Sequence, residues 1–508
     1  MRYLKKIFET IVIGVTVTST IPATAQSLYH EQYRPQVHFS PQAHWMNDPN
    51  GMVYYNGIYH LFFQYYPGAT VWGPMHWAHA ISTDLIHWKQ LPIALYPDSL
   101  GYIFSGSTVV DYHNTSGFGK NGQVPLIAIF TQHDPKGEQA KTVDFQNQSI
   151  AYSLDEGKTW IKYSGNPVLK NPGIVDFRDP KIMWYEPAKK WVMTLATKDR
   201  VTFYSSPDFK HWVKESDFGS NLGAHGGVWE CPDLFPLNDN GKKVWVLIVS
   251  IGSGAPNGGS GTQYFTGNFD GKIFTPNSAE TKWIDYGPDD YAGVTWSNTG
   301  DKKIFIGWMS NWQYATKVPT VNWRSAMTLP RELKIRHVEN NVFVTSEPVK
   351  SPASIQTKPI ITQQLTVNGD YDLLAKTGKI AAPCQLDIEL DKMADFSIIL
   401  SNPKNEKLKI GFSKADNTFF IDRTQSGQTD FHNSFAAKST APRLSASTKM
   451  HLSIILDESS VELFADDGLT AMTQVFFPTE PIDKIQLNTP EKTVFTSVKL
   501  TGLKSIWP

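Results

Sequence analysis

The chain has 508 residues, with 47 Lys and Arg against 48 Asp and Glu and a formal net charge of −1. That balance leaves no basic stripe, which argues against a nucleic-acid partner or a surface held to anionic lipid by charge. The length allows two or three domains with substantial cores, and 16 Trp and 20 Tyr supply flat amphipathic rings that suit sugar faces as well as cores. Its two cysteines, Cys231 and Cys384, stand far apart, so no disulfide is expected, and no Cys/His cluster points to zinc.

Residues 1–25 read as a secretory signal. Arg2, Lys5 and Lys6 give a charged start, Ile11 to Ile21 a mostly apolar stretch, and Ala23-Thr24-Ala25 a small-residue cleavage site. Glu9 and several Thr interrupt the apolar region. No cysteine precedes Cys231, so a lipid-anchored N-terminus is not expected, and no later run of about 18 apolar residues offers a membrane span. The expected location is therefore outside the cytoplasm, periplasmic or secreted, with no membrane anchor.

Next comes His44-Trp45-Met46-Asn47-Asp48-Pro49-Asn50-Gly51, a corner of turn-forming residues around one acid. A strand-like run from Met52 to Tyr55, an Asn56-Gly57 hairpin signal and a second run from Ile58 to Tyr66 follow. Taken alone, Asp48 reads as a turn former. The pattern then repeats. Tyr59–Tyr66, Leu126–Gln132, Trp191–Thr197, Val244–Ser250 and Ile304–Ser310 are apolar runs with centres about 50 to 70 residues apart. Each has a partner run before it, and a polar or aromatic cluster before that: Asn47-Asp48, Ser105-Gly106-Ser107, Arg178-Asp179, Glu230-Cys231-Pro232-Asp233 and Thr295-Trp296.

A second repeat, Ser82-x-Asp84-x-x-x-Trp88 and Ser206-x-Asp208-x-x-x-Trp212, has a one-residue-longer version at Ser153, Asp155 and Trp160. Here the Asp should stabilise a turn after a third strand and the Trp should pack the outer edge. Five such units predict an all-β fold opening with a five-bladed β-propeller over residues 30–345. A Ser/Pro/Thr-rich linker over 346–359 and a C-terminal β-sandwich over 360–508 complete it. Within the sandwich, Asp457-Glu458 and Asp466-Asp467 read as turn acids rather than calcium ligands.

In a propeller the five clusters converge at one end of the axis, so distant carboxylates meet. Glycosidic bonds are commonly cleaved by two carboxyl groups, one charged and one protonated. Asp48 is the candidate nucleophile. Glu230, in the apolar setting Val228-Trp229-Glu230-Cys231-Pro232, is the candidate acid/base, with burial and Asp48 expected to keep it protonated. Asp179 has Arg178 beside it, an arrangement expected to keep it ionised and suited to gripping hydroxyls. Either acid also reads as a structural one, Glu230 as a buried acid and Asp179 as an ion pair between blades. Cys231 reads as small packing. His76 and His79 have the spacing of two ligands with no third, so no metal and no cofactor is expected.

Trp45-Met46-Asn47-Asp48-Pro49-Asn50-Gly51, Phe104-Ser105-Gly106-Ser107, Phe177-Arg178-Asp179-Pro180 and Trp229-Glu230-Cys231-Pro232-Asp233 resemble, in order, the signature blocks of glycoside hydrolase family 32. That family holds invertases, inulinases and levanases. The resemblance spans nearly the whole chain after residue 25 and implies a retaining β-fructofuranosidase acting on sucrose or fructan through a covalent fructosyl-enzyme. It implies Asp48 as nucleophile, Asp179 as transition-state stabiliser and Glu230 as acid/base. Asn47, Gln64, Trp72, Phe104, Ser105, Arg178 and Trp296 then line the fructose pocket.

The stretches His225–Cys231 and Gly307–Ala315 resemble exo-acting levanases and inulinases more than plant invertases. A funnel sealed at its base would likewise admit a chain terminus. An inverting five-bladed glycosidase, a non-catalytic sugar-binding propeller, an endo-fructanase and a fructosyltransferase are the alternatives. The sequence does not separate levan from inulin, and it leaves the oligomeric state open.

Overall fold

A computed structural model describes residues 28–351, 353–375 and 382–507; the expected signal, residues 1–25, lies outside the described residues. Blade 1 is built from His44–Tyr55, Ile58–Tyr66, His76–Ser82 and Lys89–Leu95, and blade 2 from Tyr102–Val110, Leu126–His133, Gln146–Ser153 and Ile161–Lys162. Blade 3 follows with Phe177–Tyr185, Lys190–Thr197, Val201–Ser206 and Val213–Phe218. Trp229–Asp239, Lys242–Ile251, Gly261–Phe269 and Phe274–Pro276 form the main path of blade 4. Tyr291–Thr295, Lys303–Met309, Arg331–Val338 and Asn341–Pro348 do so in blade 5. The first strand of each blade lies against the axis.

The five apolar runs are the second strands. They are sandwiched between neighbouring blades, and every residue of Leu126–His133 is buried, which is why they read as continuous rather than alternating patterns. Asn56 and Gly57 both take positive φ, 48° and 83°, as a two-residue hairpin turn requires. The ring closes where Trp323-Arg324 pairs in parallel with His44-Trp45, beside blade 1.

The Ser-x-Asp repeat forms the turn into the fourth strand. Asp84 Oδ1 accepts from the N–H groups of Ile86 and His87, Asp208 Oδ1 from those of Lys210 and His211, and Asp155 Oδ1 from that of Thr159. The accompanying Trp rings do not sit at the outer edge. Trp88 stacks on Trp296 of blade 5, and Trp160 packs edge-on against Phe62 of blade 1. They fill the seams between blades, where a large apolar surface is removed from water.

The C-terminal domain is one continuous ten-stranded sheet folded into two layers. Its long strand Lys484–Gly502 pairs with Phe396–Ser401 near its start and with Cys384–Leu390 near its end, so it belongs to both layers. Its exposed Pro490-Glu491-Lys492 marks the passage between them. A core of alternating Leu, Ile and Phe fills the space inside.

This domain docks on blade 5 through buried charge. Arg331 Nη1 lies 2.9 Å from Asp285 and 3.0 Å from Asp290, and its Nη2 lies 2.6 Å from Glu462 of the sandwich. His38, on the N-terminal strap, bridges Asp457 at 2.7 Å and Glu462 at 2.8 Å. Burial would lower the His38 pKa, but those two carboxylates win and raise it to about 9. Arg423 of the sandwich meets Asp289 at 2.7 Å and lies over the Phe435 ring. Asp457 and Asp466, read from sequence as turn acids, thus serve as ion-pair partners, the latter of Arg443.

Removing one partner of such a network leaves the others charged and buried. Arg331→Leu is expected to destabilise the protein by roughly 3–5 kcal/mol, measured as a shift in denaturant midpoint. A change below about 1 kcal/mol would mean that the network is neutral to stability.

Candidate active site

All five inner strands break register near the same end. In each, three residues span the stretch that two span on the second strand: Met46 to Pro49, Ile103 to Gly106, Arg178 to Lys181 (with the partner counting Ala196 to Thr194), Glu230 to Asp233 and Tyr291 to Val294. For Arg178 to Lys181 the inner strand runs one residue longer in the same way. A one-residue bulge re-aims side chains and releases backbone groups from the ladder. Asp179, Cys231 and Ala292 hold the positive φ values this demands, 64°, 46° and 53°. The bulges carry Asp48, Ser105, Asp179 and Cys231 into one basin, with Glu230 and Tyr291 at their edges.

Asp48 Oδ2 accepts from Ser105 Oγ at 2.7 Å, and its Oδ1 from Asn47 Nδ2 at 3.0 Å. Asn47 is itself fixed by Trp45 Nε1 at 2.8 Å. Asp179 Oδ2 accepts the Cys231 N–H at 3.0 Å, while its own N–H donates to Thr131 Oγ1 at 3.0 Å. The Cys231 sulfur lies 3.6 Å from Asp48 Oδ2 and 3.7 Å from Asp179 Oδ2, filling the base between two carboxyls. Burial and the nearby Glu230 charge push the Asp48 pKa up. Burial raises Asp179 to about 7, Glu230 and Asp48 adding to it and Arg178 opposing it.

Two expectations change here. Glu230 does not sit in an apolar setting: Arg178 donates to its Oε1 from Nε at 3.1 Å and Nη2 at 3.0 Å, and the Tyr291 hydroxyl donates to Oε2. Nor does Arg178 chiefly serve Asp179, whose nearest oxygen is 4.0 Å away; it binds Glu230 and Asp176 instead. The bulge separates the side chains of neighbours in sequence, so adjacency of Arg178 and Asp179 predicts the wrong pair.

The basin opens into a cavity of about 210 Å³ lined by Asn47, Asp48, Gln64, Trp72, Phe104 and Ser105, with Arg178, Asp179 and Glu230 opposite. That is below the roughly 300–1,000 Å³ typical of drug-sized ligands and suits a single sugar ring. Gln64 Nε2 is buried without a hydrogen-bond partner among the described residues. Trp72 stands at the rim with Phe104 edge-on to it.

Trp296 is not in this pocket. It lies just past the C-terminal end of its inner strand, wholly buried, with Nε1 donating to the His60 carbonyl at 2.9 Å. The blade 5 counterpart of the other clusters is Tyr291 to Gly293, one strand length earlier. Trp312, from the loop after the second strand, supplies the aromatic lining instead, packed on Trp308 and Trp45. Sequence reading also missed Tyr291, His133, Glu138 and Gln146; an isolated Tyr or Gln in an apolar strand carries no signal of its own. His79 packs against Phe62 and His60 in the blade 1 core.

Carboxyl groups held at the closed end of a propeller axis, beneath a pocket of one-ring size, form the equipment of a glycoside-cleaving enzyme. Residues 38–346 match the glycosyl hydrolases family 32 N-terminal domain, and residues 348–502 match the glycosyl hydrolases family 32 C terminal domain. The chain belongs to glycosyl hydrolase family 32. It is 46% identical over 507 residues to a levanase of Bacillus subtilis, covering 97% of this chain and 74% of that protein. To an extracellular exo-inulinase of Aspergillus niger it is 40% identical, covering 97% and 99%. The crystal structure of exo-inulinase from Aspergillus awamori superimposes with a TM-score of 0.87 at 37% identity, over 94% of this chain and all of that one (100%). A β-fructofuranosidase from Schwanniomyces occidentalis complexed with fructosyl-erythritol gives 0.85 at 33% identity, over 94% and 99%.

The raised Asp179 pKa carries a stability cost. A carboxyl whose folded pKa lies above its unfolded value loses stability as pH rises from about 4 to about 7. Asp179→Asn keeps the acceptor for the Cys231 N–H and removes the charge. At pH 7.5 it is expected to be more stable than the parent by roughly 1–4 kcal/mol, seen as a higher unfolding temperature, with the gap closing near pH 4. A gap that is independent of pH would contradict the raised pKa.

Proposed function

We propose that the protein is an exported, retaining β-fructofuranosidase that removes terminal fructosyl units from fructans and from sucrose. The observation that carries this reading is Asp48 itself. Both of its oxygens are hydrogen-bonded by neighbours in the basin, Asn47 and Ser105, beneath a pocket of one-ring size. A carboxylate so tethered meets the anomeric carbon at a fixed angle. The levanase, exo-inulinase and invertase relatives support the substrate class.

In the first step Asp48 attacks the anomeric carbon while Glu230 gives its proton to the departing glycosidic oxygen. In the second, Glu230 takes a proton from water, whose oxygen displaces Asp48 and restores both groups. Asp179, about half ionised in the empty pocket at pH 7, is favoured in its charged form by positive charge growing on the sugar, so its interaction strengthens in the transition state. Arg178 and Tyr291 fix the Glu230 carboxyl from two sides. Gln64, with its unpaired Nε2, and Asn47 offer hydrogen bonds to ring hydroxyls, and Trp72 presents a face at the rim.

Extracellular relatives and the charged, then apolar, N-terminal stretch support export. Cys231 is buried between the Asp48 and Asp179 carboxyls, and a pocket of one-ring size above them supports attack on a chain terminus.

Asp48→Asn is expected to lower kcat by about 10⁴-fold or more with a thermal transition no lower than the parent's, since it removes a buried carboxyl whose pKa is pushed up. A folded variant turning over at near parental rate would remove Asp48 as nucleophile. Mode of attack is read from an early time course on levan or inulin: fructose should be the sole early product, and oligosaccharides appearing first would make this an endo-acting enzyme.

A further inference from the structure

Three polar side chains on the blade 2 side of the pocket, His133, Glu138 and Gln146, take no part in the steps above although all three line it. His133 ends the second strand of blade 2, and Gln146, its cross-strand partner, opens the third. Between them the chain makes a single short helix, Pro135–Gln139, capped by the Asp134 carboxyl on the Lys136 N–H. This turn sets Glu138 at the lip with 57% of its side chain exposed. The His133 ring is buried, stacked 4.3 Å from Phe104 and edge-on to Phe145.

Their hydrogen bonds form a directed chain. Glu138 Oε2 lies 3.0 Å from His133 Nε2. An ionised carboxylate only accepts, so the ring proton belongs on Nε2. Burial holds the His133 pKa below its ordinary value, so the ring is neutral near pH 7 and Nδ1 is a lone pair. Gln146 faces that Nδ1 at 3.3 Å, and only the NH₂ end of its amide can serve a lone pair. The carbonyl end must point elsewhere. Gln146 Oε1 is indeed buried with no partner among the described residues, in a side chain of the pocket lining that is 3% exposed. A buried acceptor left unpaired is costly unless a ligand supplies its donor.

Height along the axis says which part of a substrate that donor belongs to. Thr131, whose hydroxyl takes the Asp179 N–H, lies two residues before His133 on the same strand. Residues two apart share a face and differ by about 7 Å along the strand. His133 and Gln146 therefore sit nearer the mouth than the carboxyls do, level with the group leaving rather than the ring being attacked.

We propose that Glu138, His133 and Gln146 form a positioning relay that fixes one carbonyl oxygen to accept a hydroxyl of the leaving sugar, a specificity element for hydroxyl-bearing leaving groups. It rests on the fructosidase reading. Glu138 sets the tautomer of His133, the tautomer sets the amide orientation of Gln146, and Gln146 meets the substrate.

The test compares kcat/KM for sucrose and inulin with that for an aryl β-D-fructofuranoside, whose leaving group carries no sugar hydroxyl. Gln146→Met preserves volume and removes the acceptor. The ratio of sugar-leaving to aryl-leaving kcat/KM should fall about tenfold, the scale of one hydrogen bond, with most of the change in KM. Glu138→Ala, at the exposed lip, should move the ratio the same way by about threefold, and serves alone if Gln146→Met does not fold. An unchanged ratio in the folded variants, whether both substrates suffer equally or neither does, overturns the relay. A parent protein that cleaves neither substrate would instead sink the fructosidase reading on which it stands.

Discussion

Five strands that must pass side by side down a narrow axis have little room for long side chains, yet the pocket needs acids of four or more atoms pointing inward from several of them. The one-residue bulge repeated near the start of every inner strand resolves this conflict. It lets the strand shed two or three residues from the ladder and turn them into the basin, while the rest of the strand stays paired against the blade. Asp48 and Asp179 both lie inside such bulges, and the Cys231 N–H released by the blade 4 bulge is the very donor that Asp179 accepts. The irregularity that aims one acid therefore supplies the hydrogen bond that holds the next. Regular strands would break both relations at once.

The cost of the arrangement is electrostatic. Asp48, Asp179 and Glu230 share one small basin, and Arg178 is the guanidinium that faces them, committed to Glu230 and to Asp176 at the rim. Asp179 is left with a cation only at 4.0 Å, so burial dominates and its pKa climbs. A site built for stability would pair each acid. This one leaves charge under-compensated where a positively charged transition state will form, so the compensation arrives with the substrate. The empty pocket is the less favourable state by design of its charges.

Much of this was legible in the sequence because it rests on repetition. Buried second strands announce themselves as apolar runs, Asp-centred turns recur at fixed spacing, and four motif blocks fall in the right order. The five-bladed propeller, the sandwich after it and the family follow from those features. What escaped the sequence were relations across the bulges. Arg178 next to Asp179 suggested a pair, but the bulge parts them and gives the arginine to Glu230. Val228-Trp229-Glu230-Cys231 looked apolar, yet the partners of Glu230 come from blades 3 and 5. Thr295-Trp296 reads as the blade 5 cluster and the family resemblance implies Trp296 in the pocket, but the blade 5 bulge lies at Tyr291 to Gly293 and Trp296 closes the seam with blade 1. Local pattern reports which residues leave the ladder; it does not report where they meet.

Blade 5 is also where the C-terminal domain acts on the site. Asp290 immediately precedes Tyr291, the residue whose hydroxyl bonds Glu230, and Asp290 is gripped by Arg331. Arg331 is gripped in turn by Glu462 of the sandwich, which also binds the Leu329 N–H and His38. Gly307 on the second strand leaves the space that the Asp290 carboxyl occupies. A short inner strand, Tyr291–Thr295, has few ladder bonds of its own to fix its entry. Its start is instead clamped by Arg331 of the same blade, itself held by Glu462 of the second domain, in a buried interface where an ion pair tolerates little displacement. The sandwich therefore belongs to the architecture of the pocket: without Glu462 opposite Arg331, the strand that delivers Tyr291 begins from a buried cation short of a partner.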